Sequence, residues 1–172
     1  MNRETLYKVE SLFKKYEIVN REPVHLDKTF LNIESYKIEL ATGETIYRDK
    51  LVKKGGVVAC VVVPLLENNQ TIMVVQPRVF AKRGVLMDFP AGYVEKDEEI
   101  LSGAKRELEE ETGYTSDDLS VLASYYQDEG ASDCFIYIVL AKNAYKVKDL
   151  KLDEDEYLDP IILNMDDMDD LM

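Results

Sequence analysis

The chain has no tryptophan and a single histidine, His25. One histidine removes the Ser–His, Cys–His and histidine–metal schemes that need more than one, and His25 reads as a surface or arm residue. Its two cysteines, Cys60 and Cys134, lie in apolar runs. They suggest neither a disulfide framework nor a zinc site, and they suit a reducing cytosol. Proline (5) and glycine (8) are too scarce for a collagen-like or disordered chain. The glycine clusters, Gly55-Gly56 and Gly92, match neither a dinucleotide fingerprint nor a P-loop. No signal-peptide core opens the sequence MNRETLYKVESLF, and the longest apolar run, Val57 to Leu66, falls far short of a membrane span. A soluble cytoplasmic protein is expected. Positive charge is also scarce: 21 Lys and Arg against 34 Asp and Glu leave a net charge of −13. Such a chain repels duplex nucleic acid and anionic membranes. It admits a polyanionic small molecule only with help from metal ions or a local basic patch.

What is present is enough apolar residue, 46% of 172, for one well-buried domain. Leu6, Val9, Leu12, Phe13 and Tyr16 recur at helical spacing, which predicts a short amphipathic helix over 4–16. Ile33, Tyr36, Ile38 and Leu40 mark a mostly alternating strand, with a hairpin turn at Ala41 to Glu44 and a return over Thr45 to Tyr47. The VVACVVVPLL run reads as a central strand, followed by a turn at Asn68-Asn69 and the strand TIMVVQP. Residues 98–111 read as the best helix. Strands are expected at 121–127, 134–141 and 157–163, and the acidic tail DDMDDLM as the start of a fraying helix. Strands and helices mix without a regular βαβ rhythm, which favours an α+β, mixed-sheet sandwich over a doubly wound parallel sheet.

The chemistry lies in GYVEKDEEILSGAKRELEEETGY. Asp97 is placed to cap the helix and Gly113 to end it, with Ile100, Leu101, Ala104 and Leu108 as the apolar stripe. Glu107, Glu110 and Glu111 stand at i, i+3 and i+4, on one face of the last turn. Each of these like charges, at the negative end of the helix dipole, costs a few tenths to ~1 kcal/mol. A divalent cation reverses the sign of those penalties, and hard carboxylate oxygens suit Mg²⁺ or Mn²⁺. Glu109 points the other way and reads as solvated, and Arg106 could be no more than an ion-pair partner. An acid-rich chain can place three glutamates on any helix surface, so the trio alone does not decide.

The whole segment does. It resembles the signature of the Nudix hydrolases: Gly92, Glu98, Arg106, Glu107, Leu108, Glu110, Glu111, Gly113 and Tyr114 fill every required position. Seven of these positions demand one residue type, so at usage of roughly 5% each a chance match is on the order of 10⁻⁹ per window. The resemblance implies a Nudix fold, a mixed β-sheet sandwiched between helices. It also implies hydrolysis of a nucleoside diphosphate linked to another moiety. Glu107, Glu110 and Glu111 become metal ligands, joined by the backbone carbonyl of Ala91. Arg106 orients the glutamates, Glu98 supports the helix start, and Gly92 and Gly113 are backbone-shape positions.

Wider features look like the ADP-ribose pyrophosphatase branch: the N-terminal β-arm, Lys54-Gly55-Gly56-Val57-Val58, Gln76-Pro77-Arg78 and Phe89-Pro90-Ala91-Gly92. That branch implies residues 1–48 as a helix and β-arm that build a homodimer, and 49–172 as the hydrolase domain. It implies ADP-ribose as substrate, cleaved to AMP and ribose 5-phosphate. Another nucleotide sugar, a dinucleotide, or binding without turnover remain alternatives. Arg78 matches a substrate-contacting arginine, and Lys82 and Arg83 cluster near it, as diphosphate contacts or as solvated loop charges. The branch's Ser-Pro-Gly element is replaced by Gln127-Asp128-Glu129-Gly130. The general base aligns with Glu156, then Glu154, on an acidic loop. Relatives normally continue into a C-terminal helix beyond the position of Met172.

Overall fold

The computed structural model describes residues 3–20, 30–53, 58–150, 152 and 157–171. Glu154, Glu156, His25 and residues Lys54 to Val57 lie outside them. Helix α1 (Arg3–Lys15) leads into a hairpin of β1 (Leu31–Glu39) and β2 (Thr45–Lys53). Then follow β3 (Val58–Leu66), β4 (Gln70–Pro77), β5 (Val85–Asp88), β6 (Ala91–Tyr93) and helix α2 (Ile100–Thr112). The chain continues through β7 (Tyr114–Thr115), β8 (Asp118–Tyr126), β9 (Phe135–Lys142), β10 (Tyr145–Lys146) and β11 (Asp159–Asn164), then a 3₁₀ turn over Met165–Leu171.

Seven strands make the main sheet, with a path β11-β4-β3-β9-β8. The β3–β9 pairing is parallel and the others are antiparallel, so the sheet is mixed. Strands β3 and β4 pair only beside their hairpin, at Leu65↔Thr71 and Leu66↔Gln70. Beyond that they part, and two short strands fill the opening: β5 along β4, and β6 along β3. The cleft described below opens where the sheet splits.

Both faces of the sheet are covered. Met73 and Val75 of β4 and Ile161 and Leu163 of β11 pack with Val9, Leu12, Phe13 and Tyr16 of the α1 region. Ile72 and Val74, on the alternate face of β4, are equally buried. On α2, Ala104 and Leu108 pack against Cys60, Val62, Val139 and Ala141. Burying a leucine such as Leu108 contributes about 1.5–3 kcal/mol. The α+β sandwich expected from the sequence is thus present, and both cysteines are buried and unpaired.

Two readings need correction. Asp97 does not cap α2. Its backbone is left-handed (φ 67°), and Glu99 holds the N-cap position without a side-chain cap bond. An aspartate tolerates that conformation, so Asp97 serves the turn before the helix. The return strand of the hairpin runs to Lys53 rather than stopping at Tyr47. The hairpin forms its own two-stranded sheet, and β1 is exposed along its length. It is tied to the β8–β9 loop by Leu51 N–H to Ala131 O (2.7 Å), Lys53 Nζ to Gln127 Oε1 (2.9 Å) and a Lys50–Asp133 ion pair. No helix among the described residues is long and apolar enough to cross a membrane.

Candidate active site

The burial of Ala104 and Leu108 fixes the rotation of α2, and that rotation turns Glu107 and Glu111 toward β6. Both are buried, at 9% and 6% exposure. A buried carboxylate is costly unless charge and hydrogen bonds compensate it. For Glu107 the compensation is Arg106. Its Nη1 donates to Glu107 Oε1 (2.7 Å) and Glu110 Oε2 (3.0 Å). Its Nε and Nη2 donate to the two oxygens of Glu98, each at 3.1 Å, and Nη2 also reaches the Tyr93 carbonyl at 2.9 Å. Glu111 Oε2 accepts the Ala91 N–H at 3.0 Å.

Within this set, Arg106 and Glu98 each stabilise the charged form of the other. The Arg106 guanidinium holds the Glu98 carboxyl below its ordinary range, against the opposing effect of burial. Glu98 in turn raises Arg106 further, so the guanidinium stays charged. Beneath them the Cys60 thiol is pushed up to about 11, first by burial and then by the charge of Glu107.

Gly92 lets this arrangement form. A methyl group on its Cα would stand 2.2 Å from the carboxyl carbon of Glu107, so the carboxylate occupies the space a side chain would take. At the far end of α2, Gly113 adopts φ 75° and donates to Glu109 O at 3.0 Å, the helix stop expected from the sequence.

Glu107 and Glu111 line a cleft of about 600 Å³ together with Gln76, Arg78, Tyr93 and Tyr157. That volume lies in the range of small-ligand sites. Ala91, Gly92 and Arg106 line it too, so the structure gathers most of the residues singled out from the sequence. Arg78 leaves β4 into the cleft and donates through Nε to Asp88 Oδ2 at 2.8 Å. Lys82 and Arg83 do not join it. They line a separate hollow with Glu17, Ile18, Val19 and Asn20. Glu109 is not merely solvated, because Lys148 lies 3.5 Å from its carboxylate. Tyr157, Glu95 and Asp88 were not found by sequence reasoning. Asp88 meets Arg78 only through the β4–β5 pairing, and four-residue β5 carries too little pattern to reveal that contact.

Residues 56–171 match the NUDIX domain. The chain belongs to the Nudix family. It is 37% identical over 131 residues to the methanol dehydrogenase activator of Bacillus methanolicus, covering 76% of this chain and 69% of that one. It is 35% identical, over the same length and shares, to the ADP-ribose pyrophosphatase of Bacillus subtilis (strain 168). The crystal structure of an ADP compounds hydrolase shares the Nudix fold, with a TM-score of 0.70 at 23% identity, covering 89% of this chain and 80% of that one.

Among the described residues, no three acidic, histidine or cysteine side chains are gathered into a ready-made metal cage. The chemistry of the Nudix helix still fits a hard divalent cation. One guanidinium faces the carboxylates Glu98, Glu107 and Glu110, with Glu111 beside them, and all the donors are oxygens.

Proposed function

We propose that this Nudix hydrolase cleaves the diphosphate bond of a nucleoside diphosphate sugar, with ADP-ribose and water yielding AMP and ribose 5-phosphate. The observation that carries this reading is the excess of carboxylate around Arg106 on the wall of a cleft that also holds Arg78. The 35% identity to an ADP-ribose pyrophosphatase supports the substrate class.

Glu107, Glu110 and Glu111, with the Ala91 carbonyl, would hold Mg²⁺ or Mn²⁺. When bound, such ions supply charge neutralisation at the diphosphate and lower the pKa of water. Arg106 holds Glu107 and Glu110 in position and stays charged while doing so. Arg78, steadied by Asp88, contributes positive charge toward the phosphates. Gly92 keeps the backbone clear where the substrate approaches Glu107. Water attacks phosphorus and its proton passes to a general base. The resemblance assigns that base to Glu156, then Glu154, both outside the described residues.

Several assignments complete the reading. The exposed Leu31, Ile33, Tyr36 and Ile38 of the arm suit burial against a second copy of the chain, giving a homodimer. Buried, unpaired Cys60 and Cys134 suit a reducing cytoplasm. The net charge of −13 fits a protein that binds neither nucleic acid nor membrane.

The decisive experiment incubates the purified protein with ADP-ribose, other nucleoside diphosphate sugars and dinucleotides, with Mg²⁺, with Mn²⁺ and with chelator. AMP and ribose 5-phosphate should form from ADP-ribose only when a divalent ion is present. Glu111→Gln should lower turnover by several orders of magnitude while the fold is retained. No product from any compound, or full activity in chelator, would overturn the proposal.

A further inference from the structure

Beside the catalytic cleft lies a second hollow of about 560 Å³. The two share Arg78, Ala91, Gly92 and Tyr93 as common wall. The hollow contains no glutamate of α2. Its charged groups are Lys53, Arg78 and Asp88, and its floor includes Leu86, Phe89 and Ile136. A substrate with its diphosphate at the carboxylate helix therefore has room for one uncharged end here.

The polar rim of this hollow has a defined polarity. Lys53 Nζ donates to Gln127 Oε1 at 2.9 Å. An ammonium can only donate, so the amide oxygen of Gln127 must face Lys53 and its NH₂ must face away. Among the described residues nothing accepts from that NH₂. Across the hollow, Asp88 uses only Oδ2, which accepts from Arg78 Nε (2.8 Å) and Gln76 Nε2 (3.3 Å). Its Oδ1 has no hydrogen-bond partner among the described residues. A pair of donors on one side and an acceptor on the other matches hydroxyl groups, which both donate and accept. The apolar floor suits the C–H face of a sugar ring.

Building on the function proposed above, we infer that this hollow holds the sugar half of the substrate and that Gln127 is the residue that discriminates among sugars. Lys53 is its positioning residue. Gln127 stands at the start of the β8–β9 loop and Lys53 at the end of β2, so the β1–β2 hairpin sets sugar preference through one side-chain contact.

The test compares kcat/KM for the native protein, Gln127→Ala, Lys53→Met and Lys53→Arg on two series. One varies the sugar on a fixed ADP. The other varies the base on a fixed diphosphoribose. Gln127→Ala should shift the ratio between sugars by about 3- to 10-fold, mainly through KM, and leave the ratio between bases and the melting temperature unchanged. Lys53→Met should shift it the same way, and Lys53→Arg, which can still donate to the amide, should restore it. A shift in base preference instead would place the nucleobase in the hollow and overturn the inference. An equal loss on every compound, or no change, would overturn it as well. Those three outcomes leave the hydrolase reading standing. If the native protein cleaves neither series, that reading falls and the inference with it.

Discussion

Arg106 concentrates the site's electrostatics in one planar group. Five hydrogen bonds leave its three nitrogens, four to carboxylates and one to the Tyr93 carbonyl. Lysine keeps the charge but has no fork to span Glu98 and Glu107 at once. Arg106→Lys should therefore lower kcat about 10- to 100-fold with little loss of stability, measured by steady-state turnover alongside thermal melting. Gly92 gives a sharper contrast. The atoms that an added methyl meets are the tip of Glu107, which can swing aside, so the fold should survive Gly92→Ala. The carboxylate would then sit in the wrong place, and a displacement of that size costs on the order of 100-fold in rate. A Gly92→Ala protein that stays fully active would show that Glu107 need not lie where the structure puts it. Glu98 supplies a pH test. Its folded pKa lies below the unfolded value, so its pairing with Arg106 stabilises the protein fully above roughly pH 4.3, and this contribution is lost as pH falls through the folded pKa. In metal-free urea melts, the stability gap between the native protein and Glu98→Gln should shrink as pH drops below about 4. A gap independent of pH would mean the pairing contributes nothing.

At the scale of elements, α2 is fixed by its apolar stripe and by its exit. Gly113 takes φ 75°, and a methyl group there would stand 2.3 Å from the Lys148 carbonyl, which belongs to the backbone and cannot swing away. Both Val147 and Lys148 donate back to the Gly113 carbonyl. Gly113→Ala should cost about 1–3 kcal/mol. At roughly 2–4 °C per kcal/mol for a chain of this size, thermal melting will read it directly. The elements also show what a sequence can and cannot reveal. The Glu107, Glu110, Glu111 face was legible because helical spacing alone puts those residues together, and Gly113 because helices favour glycine at that stop. The split of the sheet was not legible, because β5 and β6 span four and three residues, too short for any period to register. Asp97 was misread because aspartate suits both a cap and a left-handed turn, and only the backbone angle separates the two.

At the scale of the molecule, the class of fold was legible in the irregular mix of strand and helix patterns and in one dense signature. Contacts between segments distant in the chain were not. Lys82 and Arg83 follow Arg78 closely, yet the β4–β5 loop carries them to the Glu17–Asn20 segment, away from the cleft. Lys53 meets Gln127 across 74 positions of sequence, a contact that neither residue's neighbours foretell. Both cases depend on how loops fold back, which local residue pattern does not encode.

Cys60 offers a clock for this architecture. Its sulfur is wholly shielded, 3.8 Å from the Gly92 carbonyl, and with the thiol raised to about 11 only on the order of 10⁻⁴ of it is ionised at pH 7. An alkylating reagent can reach it only when the packing between α2 and the strands beneath it opens. The labelling rate, followed by mass spectrometry, should therefore report how often the centre of the protein breathes open, and it should slow when a nucleotide occupies the cleft above. Labelling as fast as that of an unfolded peptide would mean that this seal does not exist.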